Sequence, residues 1–203
     1  MKLFHIIISS LFFSILLLSC KNDPKNSDFS PGLTTSDISE ETDNTELTKT
    51  RKKQINSVMA KMMATPELSE FTSMIVSVQL ADLLLNGEGL LTVFAPTNDA
   101  FENIPQGIKQ NLSNPDYIEV LTTLLKNHIV EDDLTSSELL QSIQKNGEHS
   151  IKTMGGASLK AYLDDGDIIL KDSNGVTAKI GKSDILGTNG KLHILDAVLT
   201  ITK

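Results

Sequence analysis

The chain has 203 residues, a formal net charge of −8, and aromatic side chains at only 4% of positions, with no Trp. An acidic balance argues against nucleic acid or anionic lipid as the partner of the folded part, and so few rings leave no obvious stacking platform for bases or sugars. A single Cys excludes an internal disulfide.

The first twenty residues, MKLFHIIISSLFFSILLLSC, carry Lys2 and then an almost uninterrupted apolar run from Leu3 to Leu18. This is the pattern of a secretory leader, with an uncleaved membrane anchor as the alternative; the run is at the short end for spanning a bilayer. Leu17-Leu18-Ser19-Cys20 resembles the bacterial lipobox, which implies removal of residues 1–19 and lipidation of Cys20. Two or three acyl chains bury several tens of methylene groups at about 0.8 kcal/mol each, so the expected attachment is effectively permanent. Loss of Lys2 with the leader leaves 17 of the 18 basic side chains against 26 acidic ones. The expected location is the bacterial cell envelope, in the outer membrane, with the domain periplasmic or surface-exposed.

From residue 20 to about Lys53 the only large apolar residues are Phe29, Leu33, Ile38 and Leu47. Such a stretch cannot bury enough surface to offset its ordering entropy, which predicts a disordered tether with a reach on the order of 30 Å. Lys49, Arg51, Lys52 and Lys53 read as a solvated flank, or as an electrostatic membrane patch.

Residues 54–203 then read as one folded domain. Ile55, Val58, Met59, Met62 and Met63 follow helical spacing, ended by Thr65-Pro66. A second helix is predicted over 67–85 with Leu68, Phe71, Ile75, Val78 and Leu83 inward, stopping at Asn86-Gly87. A short buried strand over 90–95 is broken by Pro96, after which Thr97 supplies a helix cap and Asp99 an acidic first turn, with Phe101 and Ile104 in the core. Asn114-Pro115-Asp116 opens the next helix, whose inner face is Ile118, Leu121, Leu124, Leu125 and His128. Thr135 and Glu138 form a capping box for a short helix with Leu139 and Leu140. Beyond Gly147 alternation predicts strands over 150–154, 158–163, 167–171, 177–181 and 191–201. Helices mainly in the N-terminal half and sheet afterwards give an α+β class.

Three stretches now stand in order: TVFAPTNDAF (92–101), LLKNHIV (124–130) and NGKLHILDAVL (189–199), with DLTSSELL (133–140) behind the second. Together they resemble the fasciclin-type (FAS1) domain over about residues 54–203. The resemblance implies a wedge or sandwich of β-strands packed with several helices, an adhesion role between cells or between cell and matrix, and no enzymatic activity or cofactor general to the family. The implied partner is a protein or polysaccharide of the cell envelope or matrix, besides the membrane through the anchor. In animal members an Asp-Ile pair and a Tyr-His pair are assigned to integrin binding. Asp184-Ile185 occupies the first position here, and His128 remains at the second, where Asn127 replaces the tyrosine. Asp184, Ile185 and His128 are therefore the candidate partner contacts, while Thr97, Asp99, His193 and Asp196 belong to the motifs in structural roles.

His128 and His193 read as core histidines bonded to backbone before they read as catalytic or metal groups, and neither has a second ligand at a useful spacing. Asp99 and Asp196 read as a first-turn acid and a strand-end acceptor before a general base. Ile185 reads as packed inward with Asp184 a solvated turn residue, against a partner contact. A second functional class, a carrier for a small apolar pigment or lipid, rests on some fasciclin-type proteins holding pigments and on Met59, Met62 and Met63 as a pocket lining, where core packing explains the same residues.

Overall fold

The computed structural model describes residues 39–199, with side chains from residue 45 onward. The expected leader, Cys20, the expected tether up to residue 38 and the end of the strand expected over 191–201 lie outside the described residues.

Helix α1 (Ser39–Gln54) replaces the second half of the expected disordered tether. Its described side chains are exposed up to Lys53, and Leu47 stands 60% in solvent. Lack of an apolar stripe prevents burial but not helicity. Glu46 pairs with Lys49 one turn on at 3.1 Å, and the cations Arg51, Lys52 and Lys53 fall in the last turn, where the helix dipole favours them.

Helix α2 (Val58–Met63) starts at Ser57, whose hydroxyl accepts the Ala60 N–H at 3.2 Å. Val58, Met59 and Met62 are buried, whereas Ile55 and Met63 are 64% and 69% exposed. The helix is shorter than the pattern predicts: Ile55 precedes it, and Met63 lies off the face that the other three set. The single helix expected over 67–85 is a 3₁₀ turn (Pro66–Leu68), α3 (Ser69–Ser77) and α4 (Ala81–Asn86). Gln79, at φ +61°, breaks it, so Leu84 rather than Leu83 reaches full burial.

Strand β1 (Leu91–Pro96) is buried throughout and turns directly into α5 (Asn98–Glu102). The Thr97 hydroxyl accepts the Ala100 N–H at 3.2 Å, Asp99 sits in the first turn, and Phe101 and Ile104 are buried as expected. Then come α6 (Gln106–Leu112), a 3₁₀ turn (Pro115–Tyr117) capped by Asn114, and α7 (Ile118–Lys126). Leu121, Leu124 and Leu125 face inward, while Ile118, the first residue of α7, is 43% exposed beyond the end of the core. After β2 (Ile129–Val130), α8 (Ser136–Asn146) carries the capping box of Thr135 and Glu138, with Leu139 buried and Leu140 at the surface.

The remaining strands are β3 (His149–Lys152), β4 (Ser158–Asp164), β5 (Asp167–Lys171), β6 (Thr177–Lys179), β7 (Ile185–Gly187) and β8 (Gly190–Leu195). They form two four-stranded sheets, β2-β1-β8-β7 and β3-β4-β5-β6. Strand β1, from the helical half, pairs in parallel with β8, placing Phe94 beside His193. One face of the first sheet packs on α2 to α7 through Val93, Leu192 and Ile194. Its other face supplies Phe94 and Leu195 to a second core shared with α8 and the inner face of the second sheet.

Candidate interaction site

The segment Lys182 to Leu186 lies against the start of α8. Asp184 adopts the left-handed φ of +56°, which an aspartate tolerates better than a branched residue. There one carboxylate oxygen accepts the Ser136 N–H at 3.0 Å and the other accepts the Ser136 hydroxyl. Burial pushes the Asp184 carboxyl up, but the two Ser136 bonds outweigh it and hold the group below its ordinary value. Asp184 is thus neither a free turn residue nor an uncommitted contact group: it complements the positive end of α8 from 48 residues away.

Ile185 pairs with Leu192 and packs on the first core, as one of the two readings expected. Leu186 points the opposite way and is 70% exposed, opposite Lys191, whose ammonium is ion-paired with Asp133. The apolar surface that this segment offers is Leu186, which sequence reasoning missed; the alternation of a strand begun at Ile185 would have found it.

His193 lies beneath this segment, fully buried and stacked on Phe94 at 5.3 Å between centroids. Its Nε2 donates to the Leu134 carbonyl at 2.9 Å, and its Nδ1 accepts the Asp184 N–H at 3.4 Å. Burial lowers its pKa against the opposing pull of Leu134 and Asp184. His128 is a correction to the set of candidate contacts. It is fully buried, Nδ1 donating to the Leu124 carbonyl at 2.9 Å and Nε2 accepting the Leu199 N–H at 3.2 Å, and it presents no surface to a partner. Burial lowers its pKa to about 4, so the neutral ring persists at neutral pH. Asp196 accepts the Lys179 N–H at 2.7 Å, a strand-end acceptor as expected.

Two asparagines carry more of the joinery than composition suggests. Buried Asn189 accepts the Val58 N–H and donates to the Leu84 carbonyl, both at 2.9 Å, so it joins α2 and α4 to the start of β8. Asn127, where the resemblance places a tyrosine, accepts from the Thr153 hydroxyl at 2.9 Å. A Cβ at Gly155 would approach its Oδ1 to 2.2 Å, so this contact needs glycine.

A cleft of about 550 Å³ opens between the segment after β2 and strand β3, lined by Glu131, Asp132, His149, Lys152 and Met154 among others. The methionines offered as a pocket lining lie elsewhere: Met59 and Met62 fill the first core, and Met63 faces solvent. Among the described residues no three His, Cys, Asp or Glu converge on a metal position, and no described helix is long and apolar enough to cross a membrane.

The model of the fasciclin domain matches residues 66–201. This chain belongs to the fasciclin domain family. It is 30% identical over 131 residues to the Synechocystis protein sll1483, covering 64% of this chain and 66% of that one. Transforming growth factor-beta-induced protein ig-h3 of Sus scrofa is 32% identical over 117 residues, 57% of this chain and 15% of its own. Periostin of Homo sapiens is 29% identical over 136 residues, 67% of this chain and 15% of its own. This chain therefore spans 66% of the cyanobacterial relative and a small part of the two animal ones. The fold is shared with the FAS1 domain pair of the insect cell adhesion molecule fasciclin I, at a TM-score of 0.65 and 19% identity over 72% of this chain and 51% of that one. The buried α2 residues Val58, Met59 and Met62, which precede the matched stretch, belong to the first core.

Proposed function

We propose that this protein is a lipid-anchored interaction module of the bacterial cell envelope, which holds a fasciclin domain away from the membrane to bind a protein or polysaccharide of the envelope or matrix. The observation that carries the reading is the fasciclin domain itself, a fold this chain shares with the adhesion molecule fasciclin I. Cys20 at the end of its apolar leader supports the anchor, and the exposed helix α1 extends the spacer by about 24 Å at 1.5 Å per residue. Attachment, rather than turnover, is what such a design delivers.

The test is fractionation of cells that express the full chain or Cys20→Ala, with the mass of the N-terminal peptide read from each. The expected result is an acylated peptide beginning at Cys20 in the membrane fraction, and a Cys20→Ala chain that leaves it. An unmodified Cys20, or a variant that stays with the membrane to the same extent, would overturn the anchor.

A further inference from the structure

The outward face of the second sheet carries one lysine on each of its four strands. The register places Lys152 (β3) diagonal to Lys160 (β4), Lys160 directly opposite Lys171 (β5), and Lys171 diagonal to Lys179 (β6). Opposite positions are about 5 Å apart at Cβ and diagonal ones about 7 Å, so the lysines form one oblique line on the order of 20 Å long. All four are exposed, because α8 and the second core lie on the other face of this sheet.

In a chain of net charge −8 this is a local reversal of sign. Two of the cations are answered from the rim: Lys160 by Glu148 and Lys179 by Asp167, both at 2.7 Å. Lys152 and Lys171 have no ion pair among the described residues. Like charges directly opposite on a sheet are destabilising, and Glu148 answers only the Lys160 side of the Lys160–Lys171 pair, which leaves Lys171 to be balanced by an external anion. Ser150, Ser158 and Thr177 alternate with the lysines, the first two bonded to each other through their hydroxyls at 3.1 Å, and half-buried Tyr162 lies beside the line.

We propose that this face is a docking track for a linear polyanionic polysaccharide whose carboxylates or sulfates sit along the lysine line and whose hydroxyls bond the flanking Ser and Thr. Charge complementarity along a line selects a linear occupant, and point-charge ammonium groups tolerate the variable spacing of sugar acids better than the planar fork of arginine would. This inference names the partner class of the interaction module and rests on that reading.

The test is binding of the purified chain to polygalacturonate, with neutral dextran and poly-Glu as comparators, at several salt concentrations. Wild type should bind polygalacturonate at least tenfold more tightly than either comparator, with affinity falling as salt rises. Lys152→Gln/Lys171→Gln should lose at least tenfold while its thermal midpoint holds or rises, and Lys52→Gln/Lys145→Gln, equal in charge change but off this face, should bind as wild type. Equal binding by the two double variants, or polygalacturonate no better than dextran, would overturn the proposal. Tighter binding of poly-Glu would also overturn it, in favour of an acidic polypeptide. Loss of the membrane anchor leaves this assay unchanged, so failure of the tether and failure of the track are told apart.

Discussion

Asp184 and Ser136 are joined twice across 48 residues, one carboxylate oxygen taking the backbone N–H of the first residue of α8 at 3.0 Å and the other its hydroxyl. Both members of the pair an adhesion motif would place at a partner surface are, in this molecule, committed to holding its own fold. Asp184 secures α8 and Ile185 packs inward, which leaves Leu186 to face outward.

Replacing Asp184 by Ala should therefore cost about 1 kcal/mol, in the range of a lost helix cap, and Asp184→Asn should cost less because the amide oxygen still accepts and Asn tolerates positive φ. The contribution is present above the ordinary carboxylate pKa and is lost as pH falls through the lowered folded value. Thermal melts of the two variants at pH 7 and pH 3 check both points. A destabilisation of Asp184→Ala that is as large at pH 3 as at pH 7 would remove the charge from the explanation.

His128 makes a second pH dependence, higher on the scale. Its folded pKa of about 4 lies below the unfolded 6.5, so its stabilisation is complete above pH 6.5. Below that the unfolded chain takes a proton the folded chain refuses, and about 2 kcal/mol is lost by pH 5, before most carboxylates titrate. His193, lowered by burial too, acts in the same direction. Urea unfolding across pH 5 to 7 should show this slope, and His128→Gln should lower stability at pH 7 while removing half the slope or more. An unchanged slope in the variant would mean that other groups set it.

Asn189 should be among the least replaceable polar residues. Asn189→Ala leaves the Val58 N–H and the Leu84 carbonyl buried without partners, which at 1–3 kcal/mol for an unsatisfied buried group amounts to about 3 kcal/mol. Asn189→Asp retains the acceptor but sets a carboxylate against the Leu84 carbonyl and should fare no better. Urea midpoints read at constant slope check the ordering, and an Asp variant as stable as wild type would contradict the assigned amide orientation.

The parts of this fold that were legible in the sequence are those set by local chemistry. Thr97, Asn114 and the Thr135–Glu138 box each act within three residues of themselves, and all three lie where their residue types direct. Strand β4 (Ser158–Asp164), which alternates exposed and buried side chains over its first four residues, was equally readable. What escaped depends on partners distant in the chain. The short strands β2 and β7 are defined by what they pair with, and the break at Gln79 is a backbone choice no motif announces. Among the candidate contacts, His128, in the turn after α7, read correctly as an inward residue and wrongly as a contact, because a fully buried ring offers a partner no surface. Asp184 hid its role since Ser136 is 48 residues away. The lysine line required strand register, which a sequence does not print.

Tethered attachment is tested most directly by quantitative attachment of cells lacking this gene to an envelope-polysaccharide-coated surface, after complementation with the full chain or with Cys20→Ala at matched expression. The full chain should restore attachment, and the untethered chain, though folded, should not. Equal restoration by both, or no attachment defect in cells lacking the protein, would contradict a tethered interaction module.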